Sequence, residues 1–407
     1  MNGSENAVTT VRRVRQVGDS ATLAMSAKAK AMQQQGVDVI NLSAGEPDFP
    51  TPPAVVEAAQ AYLASGQIKY TATAGMPELR DTIAAVCTAA FGTDVARDNV
   101  LVTCGGKHAL YLALQALVDD GDEVVFASPY WVSYVEMARL AGARPVPVPT
   151  RVDDGFRLDV AAVRARLTDR ARAIILNSPS NPTGARLPRG DIEALVALAL
   201  EHGLWILSDE IYAQLCYNGD PYVSPMMLGP EARARTIVSN SFSKTYAMTG
   251  WRIGYVVAPA GVARVLGRIQ DHETSNANTL AQVAAMAALT GDQAVVAERR
   301  ARFDARRRLM FDRVRTLPGW VCAEPQGAFY VFPKVEHLYG GQSPGGRLLG
   351  GSMDLSDALL DEVHVATVPG EAFGDDRHIR LSYATSRDNI AEGLRRIERF
   401  LRGMDER

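Results

Sequence analysis

Along the chain, short runs rich in β-branched and apolar residues alternate with longer stretches in which apolar residues recur every three to four positions. That alternation predicts an α/β fold, a mostly parallel sheet flanked by helices. The strand-like runs are 99–103, 123–126, 173–177, 204–208, 236–239 and 253–257; the helical period marks 108–117, 133–140, 191–201 and one long stretch over 262–289. Beyond these, 297–317 carries many arginines and reads as one amphipathic helix with a solvated face. Strand-like runs near 328–332 and 378–383 predict a smaller α+β domain, and a helix over 21–35 is expected to pack with it. The expected organisation is an N-terminal segment over 1–40, a large domain over 41–294 and a small domain over 295–407. The glycine-rich stretch GGQSPGGRLLGG, 340–351, reads as a mobile surface loop.

Composition narrows the function classes. The chain has 407 residues, 47% of them hydrophobic and 22% charged, enough apolar material for two large cores. Its 43 basic residues are balanced by 46 acidic ones, with no long basic stripe, so nucleic acid is not an expected partner. Cys87, Cys104, Cys216 and Cys322 are widely spaced without a CxxC pair, which argues against a disulfide framework or a zinc site. No apolar run reaches the roughly 20 residues that span a bilayer, and no signal pattern is visible. A cytoplasmic location is expected, without a membrane partner. The histidines show no HxxxH pair and no GxSxG occurs, so zincin and serine-hydrolase chemistry lack their residues.

In open α/β sheets, ligands collect where strand C-termini meet helix N-termini. Strand 99–103 runs into Cys104, Gly105, Gly106 and Lys107, where two glycines open a helix with free N–H groups, as a phosphate site or a plain tight turn would. Strand 173–177 leads into NSPSNPTG with Asn181, and strand 204–208 into SDEIY with Asp209 and Tyr212. A turn-rich loop and a helix-capping aspartate account for these equally well. Strand 236–239 leads into SFSKTYAMTGWR, which contains Ser241, Lys244 and Arg252. A lysine held in a partly dry site loses basicity and becomes an amine nucleophile toward a carbonyl. Pyridoxal phosphate (PLP) supplies such a carbonyl, and needs a carboxylate at its ring nitrogen with cations and N–H groups at its phosphate. Asp209, Arg252, Ser241 and the 105–107 turn are the residue types required.

The segments SAGEPDFPTP, IKYTATAGMPELR, VTCGGKHALY, SPYWVSYVEM, NSPSNPTG, SDEIY, SFSKTYAMTGWRIGY, GAFYVF, VPGEAFG and IRLSYATS occur in one order over nearly the whole chain. Together they resemble the class I aminotransferases of the fold type I PLP-dependent enzymes, and in particular the bacterial aspartate aminotransferase-like branch. The resemblance implies that Lys244 forms the Schiff base with PLP and later carries the transferred proton. It implies that Asp209 pairs with the ring nitrogen, that Asn181 and Tyr212 hydrogen-bond the phenolic oxygen, and that Trp131 stacks on the ring. The phosphate falls to Ser241, Arg252 and the Gly105-Gly106-Lys107 turn, with Tyr70 reaching in from the second subunit of a homodimer. Arg380 is implied to grip the substrate α-carboxylate beside Gly45, in a bidentate fork that lysine cannot copy. The small domain would close over bound substrate.

The implied substrates are an amino acid and a 2-oxo acid such as 2-oxoglutarate. By the same resemblance Lys107 contacts the distal carboxylate of aspartate, glutamate or prephenate, and Thr22 is a second substrate-proximal position. Both favour an acidic donor. One departure cuts the other way: where relatives commonly carry Gln-Ser before TSN, this chain has Asp271, His272 and Glu273. A Glu273 facing the pocket would repel a carboxylate and attract a basic donor, whereas a surface Glu273 would do neither. The alternatives are therefore an aminotransferase for a basic or unusual amino acid, and a PLP-dependent lyase or oxidase on the same scaffold.

Overall fold

The computed structural model describes residues 11–18, 21–219 and 221–405; residues 1–10, 19 and 20 of the expected N-terminal segment lie outside the described residues. Its strands are β1 (Ile40–Asn41), β2 (Val100–Thr103), β3 (Glu123–Ser128), β4 (Arg144–Pro149), β5 (Ala171–Asn177), β6 (Trp205–Asp209), β7 (Thr236–Ser241), β8 (Gly254–Val257), β9 (Tyr330–Val331), β10 (Val365–Ala366), β11 (Val368–Pro369) and β12 (Ile379–Ser382). Strands β2 to β8 form one sheet in the order β2-β8-β7-β6-β5-β3-β4. Only β8 runs antiparallel to its neighbours. Six strands therefore end at one edge of the sheet, and β8 begins there.

Both faces of this sheet are covered, which is why its strands read as continuous apolar runs. Alternate residues go to opposite layers. Val124, Phe126, Ile175 and Leu207 meet Leu110 and Leu114 of the helix Gly106–Leu117 on one side, while Val125, Ile174, Leu176 and Ile206 meet Leu195 and Val196 of the helix Arg189–Glu201 on the other. All six expected strands are present. The seventh, β4, was not anticipated because its sequence, RPVPVP, reads against a strand. Its prolines recur with period two, so all three missing N–H groups point the same way, and β4 is an edge strand whose outer side has no partner strand among the described residues.

A second core gathers Phe303, Phe329, Tyr330, Leu381 and Phe400 around the antiparallel sheet β11-β12-β9. Strand β1 pairs in parallel with β10, Ile40 opposite Val365. The helix Ala21–Gln34 lays Met25 and Ala29 against Leu360 and Ala366, and Lys28 Nζ reaches Asp357 at 2.7 Å and Asp361 at 3.0 Å.

Two expectations need correction. The single helix over 262–289 is two helices, Ala260–Glu273 and Thr279–Thr290. Ser275 adopts φ +57° between them, and the Asn278 side chain accepts the Ala281 N–H at 3.0 Å, starting a new helix where apolar periodicity alone runs on. The stretch 340–351 is not a free loop, since Ser343 and Leu349 are fully buried. Glu362 accepts from Gly345 N at 2.7 Å and from the Ser343 hydroxyl, and Asp354 accepts from Gly350 N at 2.9 Å, which docks the stretch on the helix Ser352–Val363. The arginine-dense helix, Ala294–Val314, is amphipathic as expected, and its buried side includes Arg299 and Arg307.

Arg307 is the clearest case, with 2% of the residue exposed. Its guanidinium donates to Asp304 at 2.8 Å, Glu324 at 2.5 Å, the Pro325 carbonyl at 3.2 Å and Asn218 at 3.2 Å. Removing one member of a buried, hydrogen-bonded charge network strands the others. Arg307→Ala is expected to destabilise the protein by about 3 to 5 kcal/mol, read as a lowered Tm in thermal denaturation; an unchanged Tm would mean that the network contributes nothing net.

Candidate active site

At the edge where the six strands end lies a cavity of about 680 Å³. Four of the strand ends deliver pieces of it. Strand β7 ends at Ser241, whose Oγ accepts the Ser243 N–H at 3.2 Å and so starts the short helix Phe242–Thr245 that carries Lys244. Strand β6 ends at Asp209 itself, which is therefore a strand terminus and not a helix cap. Strand β5 ends at Asn177, whose side chain accepts the Asn181 N–H at 3.0 Å and donates to the Asp209 carbonyl at 3.2 Å, folding the NSPSNPTG loop toward β6. Strand β2 ends in the glycine turn. There a Cβ on Gly254, at the start of β8, would lie 2.7 Å from Gly105 C and Gly106 N and 2.8 Å from the Asn240 carbonyl. Only glycine lets those three backbones meet.

Three of the charges in the cavity are shielded from solvent: Asp209 and Arg380 are buried and Lys244 is half-buried. Lys244 is half-buried and faces the cavity, with its ammonium donating to the Gly45 carbonyl. Burial lowers its pKa to about 8; Arg380 and Arg252 push the same way, against the pull of Glu46 and Asp209. Asp209 is 5% exposed, and burial raises its pKa to about 6 even though the Tyr134 hydroxyl donates to it at 2.5 Å and the Ile211 N–H at 3.4 Å. Arg380 is buried on β12, donating to Asn181 Oδ1 and to the Ser43 carbonyl at 2.9 Å each, with its plane 4.3 Å from the Tyr330 ring. Its Nε is buried without a partner among the described residues. Lys107 Nζ sits 5.1 Å over the Trp131 ring, and burial, then Arg252, lowers its pKa. Among the described residues, Lys30, Lys107, Lys244, Arg252 and Arg380 line the cavity against Glu46 and Asp209, an excess of cations that suits an anionic ligand.

Of the expected site residues, Gly45, Asn181, Asp209, Tyr212, Lys244 and Arg380 line the cavity, as do Thr22, Gly106, Lys107, Trp131 and Arg252. Gly105 and Ser241 stand just behind the lining. A Cβ on Gly105 would touch Arg252 at 2.8 Å, and one on Gly106 would lie 3.7 Å from Ser241 Cβ. Tyr70 is 92% exposed and outside this protomer's cavity. Glu273 is not in the lining either; its carboxylate lies 3.0 Å from His108 Nε2.

The model of the family "Aminotransferase class I and II" matches residues 37–397. The chain belongs to that family. It is 44% identical over 390 residues to the aspartate aminotransferase of Streptomyces avermitilis, covering 96% of this chain and 95% of that one. To the aspartate aminotransferase of Geobacillus stearothermophilus it is 42% identical, covering 96% and 98%. Among solved structures, the aspartate aminotransferase of Thermus thermophilus with maleate superposes with a TM-score of 0.90 at 41% identity, covering 96% of this chain and 99% of that one. The Rhizobium meliloti enzyme gives 0.92 at 37% identity, covering 97% and 99%. The protein is thus an aminotransferase, and the α/β fold is that of this family.

Sequence reasoning missed several members of this aminotransferase site. Tyr134 holds Asp209; it stands near the start of the helix Ser133–Leu140, within the SPYWVSYVEM segment. Tyr330 donates or accepts at 2.9 Å with Tyr212 and lies under Arg380; it sits within the GAFYVF segment. Ser26, Lys30 and Gln33 extend the cavity along the helix Ala21–Gln34 in line with Thr22, a polar stripe at intervals of four, four and three. Glu46 had no readable signal, because its approach to Lys244 joins the loop after β1 to the short helix Phe242–Thr245, far away in sequence.

Ionised Asp209 is a burden on the ligand-free protein. Because its folded pKa lies above the ordinary 3.8, the cost is absent below pH 4, grows as pH rises and is complete above about pH 6. Asp209→Asn keeps an acceptor for Tyr134 and is expected to stabilise the ligand-free protein above pH 6 by on the order of 3 kcal/mol. The gain in Tm over the wild type should be large at pH 7.5 and smaller at pH 5. A gain independent of pH would refute this account of the site.

Proposed function

We propose that the protein is a PLP-dependent aminotransferase that exchanges the amino group of an acidic L-amino acid, aspartate or glutamate, with a 2-oxo acid such as 2-oxoglutarate. The observation that carries this reading is the single cavity in which a lysine of lowered pKa, a buried carboxylate and a buried arginine with an unpartnered Nε face one another. The residues fit the cofactor. Asp209, kept rigid by Tyr134, would hold a protonated ring nitrogen. The N–H groups opening the helix Gly106–Leu117, with Ser241 and Arg252, would hold the phosphate. When bound, PLP supplies an electrophilic aldehyde and an electron-withdrawing ring.

The chain's own residues do the rest. Lys244 Nζ, with a pKa near 8, is basic enough to take the proton from the substrate α-carbon and acidic enough to return it near neutral pH. Arg380 orients the α-carboxylate with a planar fork that is held on two sides by Asn181 and Ser43. Lys107 would meet the distal carboxylate. An acidic donor is supported by the excess of cations in the cavity, by relatives named as aspartate aminotransferases, and by a structural neighbour bound to the dicarboxylate maleate. The same reading takes the active form as a cytoplasmic homodimer in which the exposed Tyr70 of each protomer completes the site of the other. It also divides the chain into a large domain over 41–294 and a small one over 295–407, which carries Arg380 and closes over substrate to exclude water.

Two variants test the reading. Lys244→Ala is expected to fold, to retain the cavity and to lose transamination, followed by conversion of 2-oxoglutarate to glutamate with aspartate as donor; appreciable turnover would mean another base moves the proton. Lys107→Ser is expected to raise the aspartate KM and lower kcat/KM by about 1.5 to 3 kcal/mol, the scale of a charged hydrogen bond, with phenylalanine far less affected. Equal losses for both donors would remove Lys107 from the specificity argument.

A further inference from the structure

The Asp271-His272-Glu273 departure has no part in the function proposed above, yet Glu273 makes a specific contact. It is the last residue of the helix Ala260–Glu273, and its carboxylate lies 3.0 Å from His108 Nε2. His108 is the third residue of the helix Gly106–Leu117, with a side chain 9% exposed. At the other end of the ring, the Cys104 backbone N–H donates to His108 Nδ1 at 3.1 Å. A backbone N–H can only donate, so Nδ1 is the bare nitrogen of the imidazole and Nε2 carries the hydrogen that Glu273 accepts. The ring is a strut with a carboxylate at one end and the glycine turn at the other. From the opposite side the same turn is held by Ser239 Oγ, which donates to the Gly106 carbonyl at 3.1 Å, and by the close approach of Gly254.

We propose that Glu273 and His108 are positioning residues for the phosphate-binding turn. Glu273 selects the tautomer of His108, and His108 fixes the Cys104 amide and with it the direction of the Gly106 and Lys107 N–H groups. Glu273 therefore serves retention of the cofactor phosphate, not recognition of the donor side chain. The helix Ala260–Glu273 packs on the helix Gly106–Leu117, so the strut ties the turn to a second helix and not merely to its own. Carboxylate–imidazole pairs of this kind orient ligand-binding groups through a second layer of contacts. The inference rests on the PLP reading given above.

The test uses the full-length protein, titrated with PLP and followed by cofactor absorbance, alongside the aspartate KM. Glu273→Ala removes the acceptor and is expected to raise the PLP Kd by about 5- to 15-fold, a fraction of a charge-assisted hydrogen bond because Glu273 reaches the phosphate only through His108. Glu273→Gln retains an acceptor oxygen and is expected to stay within about twofold of wild type in both PLP Kd and aspartate KM. His108→Phe should weaken PLP as Glu273→Ala does, and the double variant should be no worse than His108→Phe alone, because the two residues act in series. Inorganic phosphate, competing at the same turn without the ring, should lose affinity by the same factor in Glu273→Ala. Additive losses in the double variant, an unchanged PLP Kd in Glu273→Ala, or a loss for PLP without one for phosphate would each overturn the proposal. A lower aspartate KM in Glu273→Gln at unchanged PLP Kd would make Glu273 a selector of donor charge. A wild-type protein that binds no PLP would instead refute the function itself, before any variant is made.

Discussion

The partly dehydrated ammonium of Lys244 is the element to which the rest of the site responds. Holding it in a region where burial lowers its pKa to about 8 requires acceptors nearby, and these come from the loop after β1, as the Gly45 carbonyl and Glu46. That loop is stitched to the smaller sheet system: Leu42 N donates to the Ala366 carbonyl at 2.9 Å, and Ser382 N to the Leu42 carbonyl at 2.7 Å. Arg380, two residues before Ser382, donates to Ser43. The lysine of the large sheet and the arginine of the small one are thus referenced to the same short stretch of backbone, residues 42–46. Their relative position is a property of that stretch.

The residues just after that stretch, 48–50, explain the arginines of the helix Ala294–Val314. Arg306 pairs with Asp48 at 2.7 Å, Arg299 donates to the Pro50 carbonyl at 2.5 Å, and both guanidiniums lie over the Phe49 ring, at 5.0 and 5.4 Å. Phe49 packs edge-on against Phe303. The buried side of this amphipathic helix is a clamp on the loop that follows the Lys244 contact. Cation–π contacts and paired charges hold that loop without a strand ladder.

Anion binding follows from the sheet. Parallel strands ending at one edge bring helix N-termini and loop N–H groups to that edge. The antiparallel β8 then inserts Arg252 and Gly254 from the opposite chain direction beside the β2 turn. A cradle built from two strands of opposite polarity is tighter than a single strand–turn–helix unit, and the close approach at Gly254 is its signature.

By itself the sequence determined the α/β class, the six strands of the large sheet named in advance and the roster of chemically apt residues at their ends. Those features depend on period, on turn chemistry and on residue type, all of which are local. It could not separate the helices Ala260–Glu273 and Thr279–Thr290, because apolar periodicity continues across a break made by one capping asparagine, nor recognise β4, whose prolines are tolerable only at a sheet edge. It left Glu273 open between pocket and surface. Tertiary structure decided these points, since edge position, the buried networks of Arg307 and Asp209, and the pairing of Glu273 with His108 all depend on which distant segments exclude water from one another. Desolvation is a property of the assembled fold. No window of sequence contains it.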